Sequence, residues 1–112
     1  MIIIVFDDEL SKRAGSVTAR AGIEIHWSPT AEGAETMVQE LDADLVLMDY
    51  DFGPSKYRGA AAVAALRRRW DRDELRIVGI SSDPAANALL LKAGANGCMP
   101  KRSVLDFLAS VG

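Results

Sequence analysis

Five polar positions in this sequence stand directly after apolar runs. Asp7 and Asp8 follow Ile2-Ile3-Ile4-Val5-Phe6, Asp49 follows Leu45-Val46-Leu47-Met48, Ser81 follows Ile77-Val78-Gly79-Ile80, and Lys101 follows Gly97-Cys98-Met99-Pro100. Brought together, the carboxylates disfavour joint ionisation unless a cation or raised pKa values relieve them. A few carboxylate oxygens, completed by waters and a backbone carbonyl, suit Mg²⁺. Lys101 can hold an anion, and Ser81, or its neighbour Ser82, can hydrogen-bond it. A metal, an ammonium and a hydroxyl around one carboxylate are the equipment for phosphoryl transfer onto that carboxylate.

That convergence depends on the elements carrying these residues. Ile2–Phe6 and Leu45–Met48 are unbroken apolar runs, which predicts strands buried on both faces. Ile77–Ile80 reads as a third buried strand. Ile23-Glu24-Ile25-His26-Trp27 alternates, which predicts a strand open on one side and hence an edge. Gly97–Pro100 is short and ends on proline, which suits the opposite edge.

Between the strands lie five amphipathic stretches. Leu10, Ala14, Val17 and Ala21 predict a first helix, weakened by Gly15 and ended by Gly22. Ala34, Met37, Val38 and Leu41 form the stripe of a second, after a turn with an N-cap signal at Ser28-Pro29-Thr30. Tyr50 to Arg58 reads as a loop. A third helix is expected from about Ala60 to Trp70, with Val63, Leu66 and Trp70 inward and Arg67-Arg68-Arg69 as a solvated end. Asp83 and Pro84 cap a fourth, which Gly94 closes. Ser103 with Asp106 resembles a capping box for a fifth, carrying Val104, Phe107, Leu108 and Val111.

Strict strand–helix alternation implies an α/β fold, a parallel sheet with right-handed crossovers and helices on both faces. Three central and two edge strands fit a doubly wound, five-stranded parallel sheet of order 2-1-3-4-5 flanked by five helices. Its switch point lies between the first and third strands, and all strand ends share one rim. The acidic pair and Asp49 then meet at the switch point, with Ser81 and Lys101 beside them.

A chain of 112 residues is expected to form a single domain, residues 1–112, with a core that needs no staples. Its net charge of -3 gives no reason to expect nucleic acid or an anionic membrane as partner. The N-terminal apolar run stops at Phe6, short of a signal or membrane segment, so a cytoplasmic protein is expected. The single cysteine, Cys98, excludes an internal disulfide and reads as a small core residue. The single histidine, His26, reads as a surface residue and leaves no zinc cluster or histidine-based triad to consider. Leu89-Leu90-Leu91 cannot all face inward on one helix.

With these positions in these slots, the chain resembles a response-regulator receiver domain (CheY-like, flavodoxin-like fold) over its whole length. The resemblance rests on Asp7-Asp8, Asp49, Ser81, Lys101 and the Gly94-Ala95-Asn96-Gly97 turn. It implies that Asp49 is the phosphoacceptor of a two-component or phosphorelay system. Asp7, Asp8 and Asp49, with the backbone carbonyl of Asp51, would position Mg²⁺. Ser81 would bind a phosphoryl oxygen, and Lys101 would pair with the phosphoryl group. A histidine kinase or histidine phosphotransfer protein would be the phosphodonor. A downstream protein would read the face formed by the fourth helix, fifth strand and fifth helix, with the chain a monomer or weak homodimer. Asp51 and Asp83 occupy positions that influence autodephosphorylation in such domains, so the resemblance implies that they would modulate phosphoryl lifetime.

The chain also departs from the family pattern. Arg102 follows Lys101 where proline is usual, and Cys98 stands where a switch aromatic is common. Gly53 replaces a common proline, Gly59 comes two residues late, and the stretch from Ser81 to Gly94 is short. The leading expectation is a stand-alone, non-enzymatic signalling domain. The alternatives are a receiver-like interaction module that phosphate does not regulate, and a small aspartyl-phosphate phosphatase using Asp49-Tyr50-Asp51 as an Asp-x-Asp motif.

Overall fold

The computed structural model describes residues 1–14, 17–20, 22–54 and 57–111. Its elements, in chain order, are β1 (Ile2–Phe6), α1 (Asp8–Ala14), β2 (Val17–Arg20), β3 (Ile23–Ser28), α2 (Ala34–Leu41) and β4 (Leu45–Met48). They continue with α3 (Gly59–Arg67), β5 (Arg76–Gly79), α4 (Pro84–Ala93), β6 (Gly97–Cys98), a 3₁₀ turn (Lys101–Ser103) and α5 (Val104–Ser110). The five strands expected from the sequence are β1, β3, β4, β5 and β6. They pair in parallel in the order β3-β1-β4-β5-β6, which is the doubly wound 2-1-3-4-5 arrangement.

Register explains the unbroken apolar runs. Ile4, Val46 and Ile77 lie side by side and face α2, α3 and α4; Val5, Leu47 and Val78, one residue on, face α1 and α5. Successive side chains in a strand point to opposite faces, so a sheet covered on both sides needs apolar residues at every position.

The first helix is shorter than its spacing predicts. It ends at Ala14, and Val17–Arg20 instead forms β2, antiparallel to β3 and paired from Val17↔His26 to Arg20↔Ile23. Gly15 and Ala21 lie outside the described residues. Gly22, which was expected to end a helix, takes φ +77° next to the β2–β3 connection. Val17 and Thr18 are β-branched and favour a pleated strand, and the open side of β3 supplies the partner. β3 is therefore an interior strand of a six-stranded sheet, with β2 at the edge. The alternation of β3 records cover on one face: Ile23, Ile25 and Trp27 are buried, whereas Glu24 is exposed and His26 half-buried.

Three local expectations are also corrected. Cys98 is exposed rather than in the core, because β6 is a two-residue edge strand. Ser103 makes no side-chain cap to α5, since the preceding 3₁₀ turn gives it helical dihedrals. Helix α2 begins after Gly33, at φ +76°, with no side-chain cap, so the Ser28–Thr30 segment lies before the helix entry. By contrast, Asp83 accepts from the Ala85 amide as N-cap, with Pro84 opening α4.

Arg67 is not part of a solvated end. Its guanidinium donates to the carbonyls of Gly94, Trp70, Asp71 and Leu75 and to Asn96 Oδ1, at 2.6–3.3 Å. One planar fork thus satisfies carbonyls after both α3 and α4, and Asn96 Oδ1 also accepts from the Ile77 amide. Replacing Arg67 with alanine is expected to cost about 2–4 kcal/mol, because several partly buried acceptors lose a charged donor together. Arg67→Lys should recover little of it, as an ammonium cannot span that fork. Urea denaturation of the two variants checks this; equal stability of Arg67→Ala and wild type would refute it.

Candidate functional site

The site is assembled by the ends of the parallel strands. Backbone bonds continue past the strands at the rim: Asp7 N–H to Ser28 O (2.9 Å), Asp49 N–H to Phe6 O (3.0 Å), Ile80 N–H to Met48 O (3.0 Å) and Met99 N–H to Gly79 O (2.8 Å). These bonds fix where the polar residues after each run emerge. Asp7 is fully buried, and Asp49 and Ser81 are nearly so. One ligand oxygen from each of Asp7, Asp8 and Asp49 lies within 4.8 Å of the others.

Lys101 closes the group. Its Nζ donates to Asp49 Oδ2 at 2.9 Å and lies 3.2 Å from Asp7 Oδ2 and 3.4 Å from Glu9 Oε1. Asp7 Oδ1 accepts from the amides of Glu9 and Leu10, which start α1. Asp7 Oδ2 has the ion-pair contact to Lys101 but no hydrogen bond among the described residues. Asp49 Oδ1 accepts from the Tyr50 amide at 2.8 Å.

The electrostatics follow from this crowding. Burial raises the pKa of Asp49, and the neighbouring charge of Asp7 adds to it; the bonds from Lys101 and the Tyr50 amide offset only part of the rise. Burial works against the Lys101 ammonium, but its hydrogen bond to Asp49 and the charges of Asp49 and Asp7 outweigh that. Its pKa is held above the ordinary lysine value.

Above these groups opens a cleft of about 520 Å³, lined among others by Asp8, Glu9, Asp49, Asp51, Asp83 and Lys101. Five carboxylates against one ammonium favour a cation. Asp7 Oδ2, buried and held by its ion pair with Lys101 alone, adds a ligand oxygen that a hard divalent ion would satisfy, so the residues fit Mg²⁺. Ser81 and Ser82 both line the cleft; Ser81 is the buried one, and its hydroxyl accepts from the Asp83 amide at 3.0 Å. The Asp51 side chain is turned outward, accepting from the Gly53 amide and facing Arg58 at 3.9 Å.

The contacts made here by three residues escaped the sequence reading, which noted Gly59 only for its displaced position. Glu9, next to the acidic pair, is the third carboxylate on Lys101. Gly59 opens α3 against the Asp49 carbonyl, where an added Cβ would stand 1.7 Å from the oxygen. Asn87 is a buried polar residue on the inward stripe of α4, between Ala86 and Leu90, and that mismatch was its only signal.

No protein-family model and no curated protein matches the sequence. Solved structures do match. One is a two-component system response regulator/GGDEF domain protein, 23% identical, with a TM-score of 0.72 over 97% of this chain; the chain spans about half of that protein, 48%. The receiver domain of NtrX from Brucella abortus is 24% identical, with a TM-score of 0.69 over 97% of this chain and 96% of that one. The BeF3-activated receiver domain of RstA from Klebsiella pneumoniae is 23% identical, with a TM-score of 0.68 over 96% of this chain and 94% of that one. With its parallel order, its paired helical layers and its acidic rim, the chain has the fold of response-regulator receiver domains.

Proposed function

We propose that residues 1–112 act as a receiver domain that accepts a phosphoryl group on Asp49 and signals through protein contacts. The observation that carries this reading is the Lys101 ammonium 2.9 Å from Asp49 Oδ2, with the buried Asp7 carboxylate beside it. In the reaction a carboxylate oxygen of Asp49 attacks the phosphorus of a phosphohistidine on a histidine kinase or histidine phosphotransfer protein. The new bond is O–P, the bond broken is N–P, and the imidazole leaves. Lys101 pairs with a phosphoryl oxygen, and the Ser81 hydroxyl donates to another. Asp7, Asp8, Asp49 and the Asp51 carbonyl would hold Mg²⁺, which would supply charge neutralisation to the transferring group when bound.

The raised pKa of Asp49 has a consequence for this step. The nucleophile is the ionised form, so positive charge beside Asp49 is needed to keep it ionised and still leave it reactive. The protein is expected to work in the cytoplasm, and a partner would read the face built by α4, β6 and α5. No helix among the described residues is long and apolar enough to cross a membrane.

Incubating the protein with MgCl₂ and acetyl phosphate is expected to add the mass of one phosphoryl group, and Asp49→Asn is expected to abolish the increment. Unmodified wild-type protein, with no response to beryllofluoride, would overturn the phosphoacceptor reading and leave an interaction module that phosphate does not regulate.

A further inference from the structure

Ser81 and Lys101 reach the cleft from different strand ends, and one buried side chain touches the segments that carry both. Asn87, 7% exposed, accepts from the Ser81 amide through Oδ1 at 2.8 Å. Its Nδ2 donates to the Ser81 carbonyl at 2.9 Å and to the Met99 carbonyl at 3.3 Å. The amide therefore pairs with both backbone groups of one residue, as a neighbouring strand would, and bridges to the residue two before Lys101. We propose that Asn87 is a positioning residue that couples the Ser81 loop to the Cys98–Lys101 segment, so that phosphoryl binding at Asp49 is felt on the surface around Cys98.

The physical argument concerns which link yields. Leaving the buried amide and carbonyl of Ser81 unpaired is costly, so the two bonds to Asn87 are retained when Ser81 is drawn toward a phosphoryl oxygen, and the part-buried third bond carries the displacement to Met99. On the far side stands β6, a two-residue edge strand with Cys98 exposed. The soft element follows the stiff link. Helix α4 moves with it, because Asn87 is also bonded through its own amide to the Asp83 carbonyl.

The inference rests on the phosphoacceptor reading, and the test separates the two. Cys98 is the sole cysteine and is exposed, so its rate of modification by a thiol reagent reports on the segment. In wild type that rate is expected to change about fivefold on phosphorylation by acetyl phosphate with MgCl₂, the lower end of ordinary coupling between sites. Asn87→Ala should still gain the phosphoryl mass but lose most of the change in rate. Asn87→Asp keeps the acceptor for the Ser81 amide and lacks both donations, so it should behave likewise; it also serves if the alanine variant does not fold. An unchanged response in the folded variant, or phosphorylated wild type with an unresponsive Cys98, would overturn the coupling. A second arm needs no phosphate: Ser81→Thr should shift the Met99 amide resonance in wild type and not in an Asn87→Ala background. Absent phosphorylation with this arm intact sinks the phosphoacceptor reading and supports the mechanical link; equal shifts in both backgrounds sink the link.

Discussion

Gly59→Ala is expected to destabilise the domain by about 3 kcal/mol or more, the upper end of what overpacking ordinarily costs. The reason is local and steric. A Cβ at Gly59 would lie 1.7 Å from the Asp49 carbonyl oxygen, 2.8 Å from its carbonyl carbon and 3.1 Å from the Tyr50 Cα. All three are backbone atoms, so no side-chain rotation relieves the clash. The Gly59 amide also donates to the Tyr50 carbonyl at 2.9 Å, which ties the start of α3 to the strand end that presents Asp49. Either α3 lifts away from the sheet, or the Asp49–Tyr50 backbone shifts and carries the carboxylate with it. Against a total stability of roughly 5–15 kcal/mol, that loss is severe. Ala61→Ser, on the exposed side of α3, provides the control, with an expected change within about 0.5 kcal/mol. Urea denaturation measures both, and equal stabilities would show that α3 accommodates the methyl group without strain.

Gly59 also marks the limit of what sequence alone conveyed. The parallel core was legible because β1 and β4 are apolar at every position, which only a sheet covered on both faces requires. The rim residues were legible for the same reason: each interrupts an apolar run at the point where the strand meets solvent. The second half of the first helix was misread. Leu10, Ala14, Val17 and Ala21 fit a helical period, yet the β-branched pair Val17 and Thr18 pairs with β3, a partner that no local window contains. Glu9, Gly59 and Asn87 act through contacts with Lys101, Asp49 and Met99, each made by segments brought together only by packing. Cys98 was misplaced because burial at an edge depends on strand length, and β6 pairs through two residues only.

Removing the charge of Lys101 should expose how much of the rim's stability depends on it. In Lys101→Met, the carboxylates of Asp7 and Asp49, both almost wholly buried, lose the ammonium that lies 3.2 and 2.9 Å away. Breaking a buried ion pair from one side typically costs about 3–5 kcal/mol, because the remaining charge is uncompensated. The cost depends on pH, and its sign follows from Asp49. Its pKa in the folded protein is raised above the ordinary carboxylate value, first by burial and then by Asp7, so the folded state binds more protons than the unfolded one between those two values. The stabilisation by protonation is complete below the unfolded pKa and is lost as pH rises through the folded one. Wild type therefore loses this contribution on going from acid toward neutral pH, and Lys101→Met should lose more, since the lysine's lowering influence on Asp49 is gone. The wild-type lysine, with its own pKa raised, keeps its contribution until strongly alkaline pH. MgCl₂ should restore Lys101→Met at neutral pH, by about 2.7 kcal/mol at a hundredfold excess over the dissociation constant. Asp49→Asn in the same background should flatten the pH dependence. Urea denaturation of the three proteins at acid and neutral pH, with and without MgCl₂, reads all of this, and a Lys101→Met profile parallel to wild type would mean that the ammonium does not govern the charge state of Asp49.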